Sequence, residues 1–259
     1  MTAQRLAIAL LGALYLACLA FAPPGALATL PGGAALHPPS LAHPLGTDDL
    51  GRDMLAALLQ GGRNSLAVAA VATTLALACG LLAGLLAGLG PPWLDEAMMR
   101  LAEITASLPA LLLAVLVATL FGGASWHLAL LLGLTRWPVI ARIIRIEVQR
   151  LRGAEFWRAS VALGAPLPGL ARRHLLPHLA PPLLAAAGIV FGGAVLAEAA
   201  LAFVGLGDPG ATSWGQMIAA GFGLIGLAWW VWLWPALLLV AVSGLVALAA
   251  QPGRDDAAD

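Results

Sequence analysis

The sequence predicts an all-α polytopic membrane protein. Hydrophobic residues make up 61% of the 259 residues and charged residues only 10%, and the mean hydropathy is +0.93. Soluble domains are roughly half apolar and one quarter charged, so this composition is typical of a chain that lies mostly in lipid. A bilayer offers no hydrogen-bonding partners to backbone N–H and C=O groups, and the apolar segments are therefore expected to be helical.

The apolar runs predict about six transmembrane helices, since one crossing needs about 20 mostly apolar residues. The runs are residues 6–22, 65–89, 109–121, 125–144, 183–206 and 224–250. The third run is short, so it must borrow residues 101–108 or lie tilted. The first run follows Arg5 and precedes Ala26-Leu27-Ala28, a pattern that imitates a cleaved secretory signal. We favour a retained first span, because most of the remaining chain is also membrane-bound.

The distribution of arginines predicts that both termini are cytoplasmic. Short cytoplasmic loops retain an excess of positive charge, and this orientation leaves only Arg52 and Arg63 outside. The arginines that it places inside are Arg5, Arg100, Arg142, Arg145, Arg150, Arg152, Arg158, Arg172, Arg173 and Arg254. The tryptophans of residues 229–234 then lie in the outer half of the last span, as an interfacial aromatic belt.

We divide the chain into three parts. Residues 1–64 contain the first span, an external loop and a short interfacial helix, for which Asp49 is the expected cap and Gly61-Gly62 the expected end. Residues 65–250 form the transmembrane core, with a polar loop at residues 154–177. Residues 251–259 form a cytoplasmic tail.

Glycines predict where the spans meet. Gly80, Gly84 and Gly88 recur every four residues in the second span, and Gly188 and Gly192 repeat that spacing in the fifth. Small residues at this spacing let two helix backbones approach closely in a membrane. We therefore expect both glycine faces to pack against neighbouring helices.

No residue pattern predicts catalysis by this chain. Lysine is absent from the sequence, which excludes a phosphate-loop lysine and a Schiff base, and the motifs of serine hydrolases and zinc proteases are absent too. Cys18 and Cys79 lie in apolar runs and are interpreted as buried packing residues. His174 and His178 stand four residues apart, but Pro177 interrupts them, so we predict neither a metal site nor a cofactor. We also expect no nucleic-acid partner.

Two ionisable residues fall inside predicted spans, where a charge is costly. Glu198 lies near the outer end of the fifth span, and it either lines a translocation pathway or makes a structural hydrogen bond to a neighbouring helix. Arg136 lies in the fourth span and is interpreted as structural.

The polar loop predicts a compact helical hairpin. Phe156, Ala159, Ser160 and Leu163 form one mildly apolar stripe, and Glu155 lies in the first turn. Gly164 suits a left-handed helix end, and a second short helix is expected to run to Leu176-Pro177. Such an amphipathic helix binds anionic lipid or a groove on a partner protein. Exposed side chains of Phe156 and Trp157 favour the protein groove.

The loop resembles the EAA motif of bacterial ABC importer permeases, in which Glu-Ala-Ala precedes Gly and a later Leu-Pro. Ala159, Gly164, Leu176 and Pro177 match the motif, and Ser160 is a small substitute. Arg158 replaces the Glu and His174 replaces an Ile. Residues 43–66 and 197–217 resemble permeases of the peptide and nickel importers, so the likeness covers most of the chain from His43 onward.

The resemblance implies the type I permease fold in a bacterial inner membrane, with a cytoplasmic coupling loop. It implies ATPase-coupling roles for Glu155, Phe156, Trp157, Arg158, Ala159, Ser160, Leu163, Gly164, Leu176 and Pro177. It also implies a homologous second permease, two ABC ATPase subunits that bind ATP and magnesium, an external solute-binding protein, and surrounding lipid. Peptides, nickel and other metal chelates are the implied substrates.

Two other classes of protein remain as alternatives. An ATPase-independent secondary transporter or channel would need polar groups clustered near the bilayer midplane, where this chain offers little beyond Glu198 and Arg136. A membrane enzyme would need a catalytic motif.

Overall fold

The computed structural model describes residues 3–21, 35–164 and 167–250, and every regular element in these ranges is a helix. The predicted tail and Ala26-Leu27-Ala28 lie outside them. The helices are α1 Ala3–Phe21, α2 Met54–Leu89, α3 Pro92–Ser107, α4 Ala110–Phe121, α5 Ser125–Gly153, α6 Glu155–Ala162, α7 Leu167–Leu170, α8 Leu176–Leu201, α9 Trp214–Phe222 and α10 Trp229–Ala249. Two π-helical segments, Ala171–Leu175 and Ala202–Leu206, flank α8.

The described ranges contain four helices that are long and apolar enough to cross a membrane, or five if α3 and α4 form one bent span. The four are α2, α5, α8 with its flanking π turns (Arg173–Leu206), and α10. The apolar part of α1, Leu6–Phe21, is a shorter helix. The structure thus confirms an all-helical multi-pass protein, whereas the described part of the predicted first span, Leu6–Phe21, is shorter than the four long helices.

The second span begins eleven residues earlier than predicted, and the separate interfacial helix does not exist. Asp53, not Asp49, caps α2, because its carboxylate accepts hydrogen bonds from the N–H groups of Leu55 and Ala56. Gly61 and Gly62 do not end the helix. They lie under the indole of Trp214, where a Cβ on Gly62 would come within 2.7 Å of the ring. These glycines therefore permit close packing.

The third span is bent rather than straight or simply tilted. The axes of α3 and α4 differ by 77° across the break. Pro109 has no N–H to donate and restricts Leu108 to extended backbone, with φ −74° and ψ 126°. Residues 101–107, which were expected to extend this span, therefore belong to a separate helix, α3, that makes a steep angle with α4.

The predicted glycine faces are confirmed at the interfaces of α2 with α5 and of α8 with α10. Gly80 lies against Ile140, and Cβ atoms built on Gly84 and Gly88 would come within 2.7 Å of Ile144 and Val148. On α8, Gly188 faces Ala250 and Gly192 faces Val246. The α2–α5 pair is the centre of the bundle.

The last two spans also differ from their predicted bounds. The fifth span starts at Arg173. Pro177 does not interrupt it, because this residue occupies the first turn of α8, where a missing N–H costs little. The last starts at Trp229 rather than at residue 224. Trp230 is buried and its Nε1–H donates to the Thr47 carbonyl at 3.0 Å, so it packs on the 35–53 segment instead of joining a belt.

Candidate coupling site

The loop of residues 154–177 lies at one end of the bundle, which we call the arginine-rich end because Arg145, Arg150 and Arg152 surround the last turns of α5 there. Only Ala154 separates α5 from α6, with Glu155 in the first turn of α6 as predicted. Gly164 has a φ of +78°, which confirms the left-handed helix end. The short connections fix the direction of α6 relative to α5.

Trp157 is the buried anchor of this loop. Its side chain is only 6% exposed, so the prediction that this tryptophan is exposed was wrong. The indole lies in one cluster with the buried side chains of Leu151, Leu170, Leu175 and Leu179. These residues belong to α5, α7, the first π segment and α8, so Trp157 ties α6 to the helices on both sides of the loop.

Phe156 packs on His174 of the loop and on His178 in the first turn of α8. Its ring centroid is 5.5 Å from that of His174 and 6.0 Å from that of His178. The Nδ1 atom of His178 lies 2.5 Å from the His174 carbonyl oxygen. Among the described residues, no three His, Cys, Asp or Glu side chains are grouped closely enough to hold a metal ion. Both histidines are ring-packing neighbours of Phe156 in this structure.

The remaining face of α6 is open. Leu163 is 88% exposed and Val161 is 52% exposed, and Arg158 and Ala159 are exposed beside them. Ser160 is half-buried, and its hydroxyl donates to the Phe156 carbonyl. Next to this surface lies a cavity of about 460 Å³, lined by Leu89, Arg152, Trp157, Arg158, Val161 and Ala162. The combination of exposed apolar side chains with guanidinium groups fits a protein partner.

The second half of the loop leads without a break into α8. The N–H of Leu176 donates to the Ala171 carbonyl across a π turn, and Pro177 follows at the start of the helix. The short helix that was expected to end at Leu176-Pro177 is thus the beginning of a span. Displacement of the loop would be transmitted directly along α8.

Arginines brace α5 against its neighbours at this end. Arg145 of α5 makes a bidentate pair with Asp95 of α3, with N–O distances of 2.5 and 2.7 Å. Arg152 donates to the Gly88 carbonyl at the end of α2, at 2.7 Å. A bidentate arginine–carboxylate pair fixes the relative orientation of the two side chains in addition to pairing their charges. In the sequence these arginines indicate only the orientation of the chain, because their partners lie more than 45 residues away.

Glu198 is enclosed within the subunit. Its side chain is 2% exposed. The hydroxyl groups of Ser65 of α2 and Ser213 at the start of α9 lie near its carboxyl group, of which Oε2 has no hydrogen-bond partner among the described residues. Beside it, the Trp214 N–H donates to the Ser65 hydroxyl and Nε1–H to the Leu58 carbonyl. Glu198 is thus enclosed by its own subunit, and in this conformation it faces no open path.

Two structural features at the opposite end of the bundle were not predicted from the sequence. One is α9, whose start carries a capping box formed by Ser213 and Gln216; the Ser-x-x-Gln spacing is a signal that could have found it. The other is Asp208. Its carboxylate accepts hydrogen bonds from the Ser125 N–H and hydroxyl at 2.8 and 2.9 Å, and so caps α5 from 83 residues away.

We expect Asp208→Ala to lower the Tm of the purified protein by about 2 to 4 °C at neutral pH, since a lost helix cap costs about 1 kcal/mol. Partial burial raises the pKa of Asp208, but the hydrogen bonds from Ser125 and Gly210 bring that pKa below its ordinary value of 3.8. A carboxylate whose pKa is lower in the folded protein stabilises the fold at pH values above its ordinary pKa. That stabilisation is lost as the pH falls through the folded-state pKa. The Tm difference should therefore begin to shrink below about pH 4 and disappear once the pH lies below the folded-state pKa. Asp49→Ala, at an exposed aspartate, is the control; an equal Tm loss there would contradict the cap.

Residues 80–252 match the family of binding-protein-dependent transport system inner membrane components. The chain belongs to this family. The match includes α5, the loop of residues 154–177 and α8, the elements that form the candidate site. The predicted resemblance to ABC importer permeases is thereby confirmed.

Curated relatives cover most of this permease. A Brucella suis protein named as a peptide permease is 38% identical over 205 residues, which are 78% of this chain and 68% of the relative. The dipeptide transport system permease protein DppC of Alkalihalophilus pseudofirmus is 34% identical over 208 residues, or 80% of this chain and 68% of the relative.

A solved structure supports the fold. A chain of the MetNI methionine ABC transporter, in an inward-facing conformation, superposes with a TM-score of 0.64 and 26% sequence identity. The alignment covers 76% of this permease and 94% of that chain. The predicted ABC importer permease fold is confirmed, and the protein is a permease subunit of an ABC importer.

Proposed function

We propose that this permease is one half of the membrane channel of an ATP-driven importer of peptides. The names of its relatives support peptides over the nickel or other metal chelates that the sequence also allowed. In this proposal a homologous second permease completes the channel, two ATPase subunits bind ATP and magnesium, and an external solute-binding protein delivers the peptide. The chain itself catalyses no reaction.

The observation that carries the proposal is the construction of the loop of residues 154–177. Its open face presents Leu163, Val161 and Arg158, whereas Trp157 anchors its base. It joins α5 to α8 through connections of one residue on one side and a continuous helical turn on the other. A partner that moves α6 would therefore move two spans together, which is the requirement for alternating access driven from outside the bundle.

The arginine-rich end faces the cytoplasm in this proposal, with both termini on the same side. The charge asymmetry of the loops supports this orientation. The secondary transporter or channel is less well supported, because α6 has no function in a protein that needs no ATPase.

We expect a cysteine at Leu163 to be labelled by a membrane-impermeant thiol reagent in inside-out vesicles and to be protected when the ATPase subunits are present. Leu163 is 88% exposed, and Leu41, which is also fully exposed but lies at the opposite end, is the matched site. Both substitutions are made after Cys18 and Cys79 have been replaced by alanine. Leu41→Cys should react only in intact spheroplasts, with or without ATPase subunits. Labelling of Leu163→Cys in spheroplasts, or equal labelling with and without the ATPases, would contradict the proposal.

A further inference from the structure

Arg136 is a charged residue in the middle of a membrane span. It lies about 16 Å along α5 from Ser125, at a rise of 1.5 Å per residue, and a bilayer core is about 30 Å thick. Its side chain is half-buried. An ionisable group at this depth is costly unless it has a partner or faces water.

No hydrogen bond or ion pair from the described part of the chain reaches this guanidinium. Three arginines nearer the end of α5 differ in this respect, because Arg145 pairs with Asp95, Arg150 with Glu147, and Arg152 with a backbone carbonyl, whereas Arg142 is exposed. Glu198, the one acidic residue on α8, is turned toward Ser65 and Ser213. Within the described part of the chain, Arg136 therefore has no counter-charge.

The neighbouring helix provides space for this side chain. A Cβ built on Gly193 of α8 would lie 3.2 Å from Nη1 of Arg136, so the guanidinium occupies room that the missing side chain leaves. The group consequently lies between α5 and α8 rather than in lipid. These are the two helices that the loop of residues 154–177 connects, so movement of that loop changes the surroundings of Arg136.

We propose that Arg136 is a carboxylate-binding site that the translocated solute occupies on its way across the membrane. A guanidinium presents paired N–H donors that match the two oxygens of a carboxylate. The inference rests on the proposed function, because every unmodified peptide carries a terminal carboxylate whatever its side chains. It replaces the structural role that the sequence suggested, since the structure gives Arg136 no structural bond.

The test uses the complete transporter in proteoliposomes, with its ATPases and its solute-binding protein, and a defined mixture of unmodified di- and tripeptides measured by mass spectrometry. Arg136→Gln should reduce ATP-dependent uptake roughly tenfold or more, the effect of losing a charged hydrogen bond. Arg136→Lys should restore part of the uptake. Arg142→Gln, which removes an exposed arginine from the same helix, should leave uptake near the wild-type level. Subunit assembly and stimulated ATP hydrolysis should be unchanged in all three variants.

Three results would overturn the inference. Wild-type uptake by Arg136→Gln would show that no carboxylate of the solute depends on this group. Loss of subunit assembly in Arg136→Gln would assign the carboxylate to the neighbouring permease instead. Wild-type vesicles that hydrolyse ATP but take up no peptide would contradict the proposed function itself and, with it, a peptide ligand.

Discussion

Replacing Gly164 by valine is expected to abolish ATP-driven uptake while leaving membrane insertion intact. Gly164 has a φ of +78°, and nothing lies within 4 Å of the position that a Cβ would take. The effect therefore comes from the backbone alone. A β-branched residue in the left-handed region costs about 1 to 3 kcal/mol, which changes the population of the correct loop roughly 5- to 150-fold. The measurement is peptide uptake, with copurification of the ATPase subunits as a second readout.

Gly153 supplies a matched control for this substitution. It stands at the other side of α6, with equally open space around a built Cβ and no left-handed φ. Gly153→Val should therefore retain most uptake, and Gly164→Asn should lie between the two, because asparagine tolerates the left-handed region better than valine. Wild-type uptake by Gly164→Val would refute the proposed role of the loop.

The sequence predicted those features of the fold that depend on local pattern. Long apolar runs predicted α2, α5, α8 and α10, because a lipid-exposed backbone has no alternative to a helix. The left-handed end at Gly164 followed from a single residue type. The glycine repeat of α2 predicted a close interface, although not which helix would fill it.

Features that depend on distant contacts could not be predicted. Trp157 looked exposed, because neighbouring residues are polar, but it is buried by Leu175 and Leu179 from beyond the turn. Gly61-Gly62 looked like a helix end, and only the position of Trp214, about 150 residues later, explains why the helix continues there. A pair of glycines fits either a helix end or a close contact within a helix until the residue that packs on it is known.

Replacing Gly84 by valine is expected to destabilise the whole bundle. A Cβ at this position would lie 2.7 Å from the Cβ of Ile144 and 2.8 Å from the Ala141 carbonyl oxygen. Neither atom is the end of a flexible side chain, so α2 and α5 would have to separate. Overpacking of this kind costs about 1 to 3 kcal/mol or more, which corresponds to a Tm loss of about 2 to 12 °C. The measurement is thermal unfolding of the purified subunit.

Gly244→Val tests whether the loss at Gly84 is specific to this interface. Gly244 also lies within a long span, α10, but nothing comes within 4 Å of a built Cβ there, so its replacement should change the Tm little. Because α5 continues into α6 through Ala154 alone, Gly84→Val should lose both stability and uptake, whereas Gly164→Val loses uptake only. A Gly84→Val protein as stable as Gly244→Val would contradict the close packing of α2 on α5, and the loop would then lack the rigid support that transmission of its movement requires.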